Sequence, residues 1–564
     1  MYVVATAGHV DHGKSTLVHR LTGMWPDRLA EEQRRGLTIE LGFAWTDIAG
    51  HEVAFVDVPG HERFVATMLA GVGPVPAVVF VVAATEGWMP QSDEHLAALR
   101  ALGVDDVLVV VSKTDLADPG RAVAQTRERL PTAPVVLGAD LDAVRAGLIA
   151  LVDRLPSPDR DADVRLWVDR SFTVRGAGTV VTGTLGAGTL RVGDELTHDG
   201  RRVAIRGLQS LGHDRTEVGA VARVAVNLRS IDHRQLGRGD ALCTPDAWLT
   251  TTEADVALTV PDDVHRELVL HLGSAAVPVT VRPLGQAAAR LRLARPLPLR
   301  VGDIGVLRDP GAHRIAAGVE VLDVRPPALR RRGAARARAA ELADGRPRPP
   351  VCARRSELRA MGLPERGLRI DEWVIDESWW AERCQHVVPA VERWSTENDI
   401  AAGMPAEALR RALGLPAPEL IAPLIEGTGL EVSQGRVRKP GVQLPERVDH
   451  AVREVEKLLA AAPFRAPEAD ALTALGLGSK ELAAAVRAGR LTRIATGVVL
   501  GPDVVDAAAA ILAGLPQPFT VAEAKRALDT TRRVAVPLLE LLDRQRITRA
   551  NSDGTRLVSN NRAG

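Results

Sequence analysis

The chain has 564 residues, and this length predicts about three to five domains. Its 71 basic and 71 acidic residues balance, and 46% hydrophobic with 25% charged residues is typical of a folded protein rather than a disordered one. Residues 1–10 lack the features of a signal peptide, no apolar run could span a bilayer, and three scattered cysteines argue against a disulfide framework or a zinc site, so we expect a cytoplasmic protein.

A phosphate-binding loop is predicted near the start of the chain. Residues 2–7 form an apolar strand, residues 8–16 read GHVDHGKST, and an apolar helical pattern follows them. In this GxxxxGK[ST] motif the glycines turn amides toward phosphate oxygens, the lysine reaches the outer phosphates and the first hydroxyl binds Mg²⁺. A chance match is the alternative, which the flanking strand and helix disfavour. The nucleotide-binding residues predicted here are Gly8, His9, Val10, Asp11, His12, Gly13, Lys14, Ser15 and Thr16.

A second phosphate element follows the apolar strand at residues 53–58. The sequence Asp-Val-Pro-Gly-His at residues 57–61 predicts that Asp57 holds a magnesium-bound water and that the Gly60 amide meets the terminal phosphate. Taken alone, this sequence would indicate only a turn. Two phosphate elements at strand ends of one α/β domain favour the functional interpretation.

Strand 107–111 leads to the sequence Ser-Lys-Thr-Asp, and the three elements in this order resemble the GTPase superfamily, whose Asn-Lys-x-Asp motif reads guanine. The resemblance implies that Asp115 accepts hydrogen bonds from the base and that Lys113 lies across its ring. Lys14 and Lys113 are two of only six lysines in an arginine-rich chain, which indicates that both positions require an ammonium. Ser112 departs from the usual asparagine, so its brace of the loop is expected to be weaker or different. The last guanine-loop motif is expected near residues 138–139.

The motifs are most similar to those of the translational GTPases related to elongation factor Tu, over most of residues 1–155. Residues 35–39 read RGLTI, which resembles their first switch and implies that Thr38 and Ser15 are the two hydroxyl ligands of Mg²⁺, with Asp57 acting through water. The resemblance implies a GTPase that binds GTP or GDP. His61 would orient the attacking water, and Val10 and Leu37 would form an apolar gate that keeps this histidine turned away.

The fold class predicted is multidomain, with an α/β P-loop GTPase domain, two small β-barrels and a C-terminal array of winged helices. The GTPase domain is expected at residues 1–158, and glycine-punctuated strands predict barrels at 163–246 and 250–326. Residues 172–184 resemble the second domain of elongation factors. The arginine-rich and proline-rich residues 327–350 are predicted to be a basic linker, either solvated or in contact with ribosomal RNA.

A helix–helix–hairpin pattern recurs beyond the linker and predicts winged helices at 351–440 (one or two units), 441–502 and 503–564. In the last unit, basic residues cluster at the start of the third helix and around the wing, which is typical of a phosphate-binding surface. Residues 530–540 resemble the final winged helix of the SelB-type selenocysteine-specific elongation factors, and this implies binding of an mRNA hairpin. The arginines predicted for this contact are Arg532, Arg533, Arg544, Arg546, Arg549 and Arg556.

A pocket for selenocysteine should supply a cation, because a selenol is more acidic than a thiol and arrives largely as an anion. Asp169 and Arg170 stand in a barrel strand where the selenocysteine-specific branch places its cargo-facing pair, and Arg229 is a plausible second cation. Either arginine could equally be a solvated strand residue.

The resemblance therefore implies a monomeric elongation factor that carries selenocysteinyl-tRNA to the ribosome and has no membrane partner. A translational GTPase for another specialised tRNA is the first alternative. A winged-helix DNA-binding regulator with an NTPase switch domain is the second, and two elongation-factor barrels argue against it. An interaction protein with an inactive GTPase fold is disfavoured by five residues that occur together, namely Lys14, Ser15, Thr38, Asp57 and His61.

Overall fold

The computed structural model describes residues 1–26, 38–176, 178–259, 264–343, 345, 347, 349–398, 403–440, 444–551 and 554–558. The chain divides into two units, Met1–Arg366 and Gly367–Gly564. Among the described residues, no helix combines the length and apolar character needed to cross a membrane.

The N-terminal α/β domain is built on a six-stranded sheet with strand order β2-β3-β1-β4-β5-β6, in which only β2 runs antiparallel to its neighbour. The strands are β1 (Tyr2–Ala7), β2 (Gly42–Ile48), β3 (His51–Asp57), β4 (Ala77–Ala83), β5 (Val107–Ser112) and β6 (Val135–Leu137). Among the described residues of this domain, the helices are α1 (Lys14–Thr22), α2 (Val65–Val72), α3 (Pro90–Ala101), α4 (Gly120–Arg129) and α5 (Leu141–Val152). Every residue of β4 is buried, as expected for a central parallel strand covered on both faces.

The first β domain is an antiparallel sheet in the order β7-β16-β11-β12-β15-β9-β8, with β13 paired to β12 and a separate pair β10-β14. Its strands are β7 (Arg165–Trp167), β8 (Arg170–Val174), β9 (Gly178–Leu185), β10 (Thr189–Arg191), β11 (Glu195–His198), β12 (Arg201–Ser210), β13 (His213–Arg215), β14 (Glu217–Gly219), β15 (Ala222–Leu228) and β16 (Ala241–Cys243). Strict alternation of buried and half-exposed residues along β15 gives the domain one apolar inner face.

The second β domain is a closed six-stranded barrel in the order β17-β20-β19-β18-β21-β22. Its strands are β17 (Leu249–Thr259), β18 (Glu267–Leu272), β19 (Ala275–Pro283), β20 (Ala288–Leu299), β21 (Ile304–Asp309) and β22 (Arg314–Asp323). The order of an α/β domain followed by two β domains is the one predicted from the sequence.

The predicted basic linker contains a packed helix, so the expectation of a solvated segment is wrong there. Helix α6 (Ala334–Ala343) lies within it, and its Leu342 joins an apolar cluster with barrel residues. Arg338 on this helix is buried, and its Nε donates to Asp255 Oδ2 at 2.7 Å. The same guanidinium donates to Asp323 at 2.5 Å, while Arg290 donates to both oxygens of Asp255 at 2.7 and 3.0 Å. A buried carboxylate thus holds α6 against the barrel. Strand β23 (Cys352–Arg354) and helix α7 (Arg355–Met361) complete the first unit.

Replacing Arg338 with methionine is expected to lower the Tm of the first unit by several degrees, because it removes charged hydrogen bonds to the buried Asp255 and to Asp323 and leaves Arg290 as the remaining arginine partner of Asp255. Arg336→Met on the same helix is the matched control, since Arg336 is exposed. Scanning calorimetry of both variants measures the difference. Equal shifts would show that α6 is held by its apolar residues alone.

The second unit contains three helix–hairpin modules after a short hairpin of β24 (Leu368–Ile370) and β25 (Trp373–Ile375). The first module has α8 (Glu377–Glu397), β26 (Met404–Pro405), α9 (Ala406–Leu413), α10 (Ile421–Ile425), β27 (Glu431–Ser433) and β28 (Arg436–Arg438). The second has α11 (Glu446–Ala461), α12 (Ala469–Ala474), α13 (Ser479–Arg487), β29 (Thr492–Ala495) and β30 (Val498–Leu500). The third has α14 (Val504–Ala513), α15 (Val521–Ala527), α16 (Arg532–Arg544), β31 (Thr548–Ala550) and β32 (Arg556–Val558).

These modules confirm the predicted winged-helix array, with two corrections. The first predicted region starts at residue 351, but residues 351–366 belong to the first unit, and the first module begins with α8 at Glu377. The second and third modules share one hydrophobic core, which includes Val452 and Leu482 from one and Leu538 from the other. A boundary at residue 502 therefore does not separate two independently packed cores.

Candidate functional site

The loop after β1 has the backbone geometry that its glycines predict. Gly8 has φ +124° and Gly13 has φ +85°, a region that favours glycine. A methyl group on Gly8 would lie 2.2 Å from the Val81 carbonyl oxygen, so no other residue fits there. Lys14 opens α1, and its Nζ donates to the Gly8 carbonyl at 3.0 Å and to the His9 carbonyl at 2.7 Å. The loop thus wraps around the lysine head group at the N-terminus of a helix, which favours anions.

Three predicted magnesium ligands meet beside this loop. Ser15 Oγ donates to Asp57 Oδ2 at 2.6 Å and lies 3.1 Å from Thr38 Oγ1. Asp57 is fully buried, and Thr6 donates to its other carboxylate oxygen at 2.7 Å. Two hydroxyls and a carboxylate are hard oxygen donors, the set that Mg²⁺ prefers, so these residues fit the ion. Sequence reasoning had missed Thr6, which fixes the orientation of Asp57 from within β1.

The turn after β3 brings Gly60 against the phosphate loop. A methyl group on Gly60 would lie 2.4 Å from Lys14 Nζ and 2.6 Å from the Val10 amide nitrogen. His61 follows at the surface, and its Nδ1 accepts from the Arg63 amide at 3.2 Å. The predicted gate pairs Val10 with Leu37, which lies outside the described residues together with the rest of 27–37.

The predicted guanine loop at the end of β5 contacts the phosphate loop. Ser112 Oγ donates to the His12 carbonyl at 2.6 Å, so the serine side chain, although shorter than asparagine, still bonds directly to the phosphate loop. Lys113 has φ +53°, and its Nζ lies 3.8 Å from Glu86 Oε1, while Asp115 is exposed. Gly138 lies beside Ser112, where a methyl group on it would be 3.4 Å from the Ser112 Cα. The assignment of residues 138–139 to the last guanine-loop motif stays a prediction.

Two buried histidines lie behind the phosphate loop. His12 has Nδ1 3.3 Å from the Val81 carbonyl and Nε2 3.5 Å from Glu86 Oε2, and burial lowers the pKa of His12 to about 4. His95 of α3 accepts a hydrogen bond from the Gly8 amide. The sequence pattern gave His95 no role of its own, because nothing local indicates that α3 reaches the loop.

Asp169 and Arg170 line a cavity of about 440 Å³ between the α/β domain and the first β domain. Arg170 Nη2 donates to the Leu41 carbonyl at 2.7 Å and lies 2.9 Å from Glu40 Oε2. Asp169 accepts from Thr182 Oγ1 at 2.6 Å and from two guanidinium nitrogens of Arg223. The pair predicted from the sequence is therefore present at a domain boundary.

The structure does not bring Arg229 into this cavity. Arg229 lies just past the end of β15 and lines a separate open depression with Arg206 and His233. The second arginine that lines the cavity is Arg238. Arg223, which is bonded to Asp169, stacks over the Phe43 ring at 3.8 Å. Arg170 lies over the same ring at 5.5 Å. The structure thus places Asp169 and Arg170 together and Arg229 apart from them, and the role of all three in binding selenocysteine stays a prediction.

The predicted RNA-contacting arginines of the last module divide into two groups. Four of them are exposed, namely Arg532, Arg544, Arg546 and Arg549. The other two form internal contacts. Arg533 donates to the Ala466 and Pro467 carbonyls, each at 3.0 Å, and Arg556 donates to Asp543 Oδ2 at 2.9 Å. Arg533 thus links the third module to the second, and Arg556 joins the wing of the third module to α16, so the exposed surface is smaller than the charge count suggests.

Comparisons with protein families match three parts of the chain. Residues 1–231 match the elongation factor Tu GTP-binding domain. Residues 249–328 match the β-barrel domain of selenocysteine-specific elongation factors, and residues 510–557 match the winged helix of elongation factor SelB.

Curated relatives and a solved structure agree with these matches. The chain is 38% identical over 352 residues to the selenocysteine-specific elongation factor of Desulfomicrobium baculatum, covering 57% of this chain and 55% of that one. It is 37% identical over 344 residues to the Escherichia coli (strain K12) factor of the same name, covering 58% and 56%. These matches span about half the length of both relatives. The crystal structure of a bacterial selenocysteine-specific elongation factor EF-Sec is similar in fold, with a TM-score of 0.74, 24% identity and 99% of both chains covered.

Proposed function

The chain belongs to the SelB-type selenocysteine-specific elongation factors, a branch of the translational GTPases related to elongation factor Tu, and on this premise we propose that it binds GTP and selenocysteinyl-tRNA together. We propose further that it delivers this tRNA to the ribosome at UGA codons marked by an mRNA hairpin. GTP hydrolysis would follow recognition of the codon. The four exposed arginines of the last module would contact the hairpin.

The nucleotide site supports GTP binding and hydrolysis by positioning. Lys14 and the amides of residues 8–16 would hold the phosphates, and Gly60 brings the second turn close to them. Ser15, Thr38 and Asp57 would hold Mg²⁺, which supplies charge neutralisation on the phosphates when bound. Ser112, Lys113 and Asp115 would read the guanine base. His61 would orient the water that attacks the terminal phosphate.

The contact of Arg170 with residues 40 and 41 is the observation that carries the proposal. These residues follow Thr38, which lies against Ser15 in the predicted magnesium site. One segment of the α/β domain therefore contacts both the nucleotide site and the cavity of Asp169 and Arg170. This arrangement suits a protein that must hold its cargo in one nucleotide state and release it in another.

The cavity also suits an anionic side chain. Two guanidinium groups, those of Arg170 and Arg238, line it beside Asp169. A selenolate would gain a charge-assisted contact there, whereas the hydroxyl of serine would not. We therefore propose Asp169, Arg170 and Arg238 as the residues that select selenocysteine.

Protection of the aminoacyl ester from hydrolysis tests the function. GTP-loaded protein should slow hydrolysis of selenocysteinyl-tRNA strongly and hydrolysis of seryl-tRNA on the same tRNA body weakly. Arg170→Ala is expected to reduce that preference by about tenfold or more, because it removes a cation from a partly desolvated site. Arg229→Ala is the matched control, since it removes an arginine from a different depression of the same β domain.

The outcomes of this experiment distinguish the selenocysteine proposal from its alternatives. Equal protection of both tRNAs, or of neither, would contradict the selenocysteine proposal and favour a factor for another specialised tRNA. If Arg229→Ala lost the preference for selenocysteinyl-tRNA and Arg170→Ala kept it, the selenocysteine pocket would instead be the open depression that Arg229 lines.

A further inference from the structure

A buried histidine behind the phosphate loop holds the first residue of that loop. His95 lies in α3, and its side chain is 1% exposed. Its Nδ1 accepts a hydrogen bond from the Gly8 amide at 3.1 Å, so the proton of the neutral ring is on Nε2. Burial lowers the pKa of His95 to about 3, and the Lys14 ammonium acts in the same direction. The ring is therefore neutral and able to accept at physiological pH.

Gly8 is held on both sides of its backbone. Its amide donates to His95, and its carbonyl accepts from Lys14 Nζ at 3.0 Å. The close approach of Gly8 to the Val81 carbonyl leaves it little freedom to shift toward β4. A loss of the His95 contact would leave a buried amide without its acceptor, and the loop would have to rearrange to satisfy it. That rearrangement would also displace the carbonyl on which Lys14 rests.

We propose that His95 is a positioning residue of the nucleotide site, which fixes Gly8 and thereby Lys14, and so slows the release of a bound guanine nucleotide. The inference rests on the proposed function, because it presumes that residues 8–16 bind the phosphates. His95 itself does not touch the nucleotide in this scheme. It acts through the backbone of the loop.

Three substitutions of His95 test whether its effect comes from the hydrogen-bond acceptor at the Nδ1 position or only from packing of the ring. In His95→Asn the side-chain Oδ1 is the same number of bonds from the backbone as Nδ1 of histidine, so it keeps an acceptor for the Gly8 amide. In His95→Gln the same amide group is one methylene farther from the backbone. His95→Leu fills the space without an acceptor. The measurement is the dissociation rate of fluorescently labelled GDP from the full chain, followed by stopped flow, with the Tm of each variant as the folding control.

The Leu and Gln variants are expected to release GDP about tenfold faster or more, and the Asn variant at a rate close to that of the wild type. Unchanged rates in all three variants would overturn the proposal. Equal acceleration in the Asn and Leu variants would also overturn it, because packing alone would then explain the effect. If the wild-type chain bound no GDP, both the proposed function and this inference would be contradicted. That result differs from any change seen only in the variants, so the two failures can be distinguished.

Discussion

His61→Ala is expected to reduce ribosome-stimulated GTP hydrolysis by about 10²- to 10⁴-fold, with little change in the affinity for GTP or GDP. The Nδ1 atom of His61 accepts from the Arg63 amide at 3.2 Å, so the neutral ring carries its proton on Nε2. An Nε2–H group can donate to the oxygen of a water and orient it. Phosphoryl transfer to water needs this positioning more than it needs a strong base. Single-turnover hydrolysis with ribosomes, together with equilibrium nucleotide binding, measures the two quantities separately.

Two further variants sharpen the interpretation of His61. His61→Gln keeps a side-chain amide that can orient water, so it should retain more activity than alanine. His51→Ala is the matched control. His51 is the first residue of β3, at the opposite end of that strand from Asp57 and the nucleotide site. Hydrolysis at the wild-type rate in His61→Ala would remove the catalytic role. A parallel loss of GTP affinity would make His61 a binding residue instead.

The nucleotide site was predictable because its parts are local in sequence and the sheet assembles them. Each element is a short run that follows a strand, and parallel strands place their carboxyl ends at one edge. The contact between Ser15 and Asp57 follows from that topology, although 42 positions separate the residues. The role of His95 was not predictable, because a helix that packs on the sheet carries no local sign of which loop it reaches.

The cavity of Asp169 and Arg170 shows what sequence reasoning cannot supply for a β domain, namely the strand register. Arg170 pairs with Thr182, while Arg223 pairs with Thr184 two positions along the same strand β9. This register, which brings Arg223 to Asp169, depends on the turn lengths and bulges of the whole sheet. The sequence predicts Arg229 as a plausible second cation. In the structure that position lies beyond the last paired residue, Leu228.

Counting charges failed for a related reason in the C-terminal half. The linker at 327–350 looks solvated by its arginine content, yet its alanines favour a helix and Arg338 finds a buried carboxylate. Arg533 and Arg556 likewise satisfy carbonyls and a carboxylate within the winged helices. An arginine that is paired inside the protein is not available to neutralise a phosphate. Only the three-dimensional contacts distinguish such an arginine from one that can bind RNA.

Replacing the four exposed arginines of the last module with glutamine is expected to weaken RNA hairpin binding by about 10²-fold or more. Each lost phosphate contact should also lower the slope of log affinity against log salt by about one. The substituted residues are Arg532, Arg544, Arg546 and Arg549. The probe is an RNA hairpin from downstream of an in-frame UGA of the same genome, bound to the full chain over a range of salt concentrations. A DNA duplex with the stem sequence serves as the competitor.

Arg556→Gln is the matched control for this set, because it removes an arginine of the same wing that is bonded to Asp543. It should lower the Tm of the second unit and leave the salt dependence of binding unchanged. An unchanged salt slope in the four-arginine variant would place the RNA surface elsewhere on the module. Tighter binding of the DNA duplex than of the hairpin would instead favour a DNA-binding regulator. A-form RNA has a major groove too narrow for a helix, so a genuine RNA reader should use these arginines on backbone phosphates and splayed loop bases.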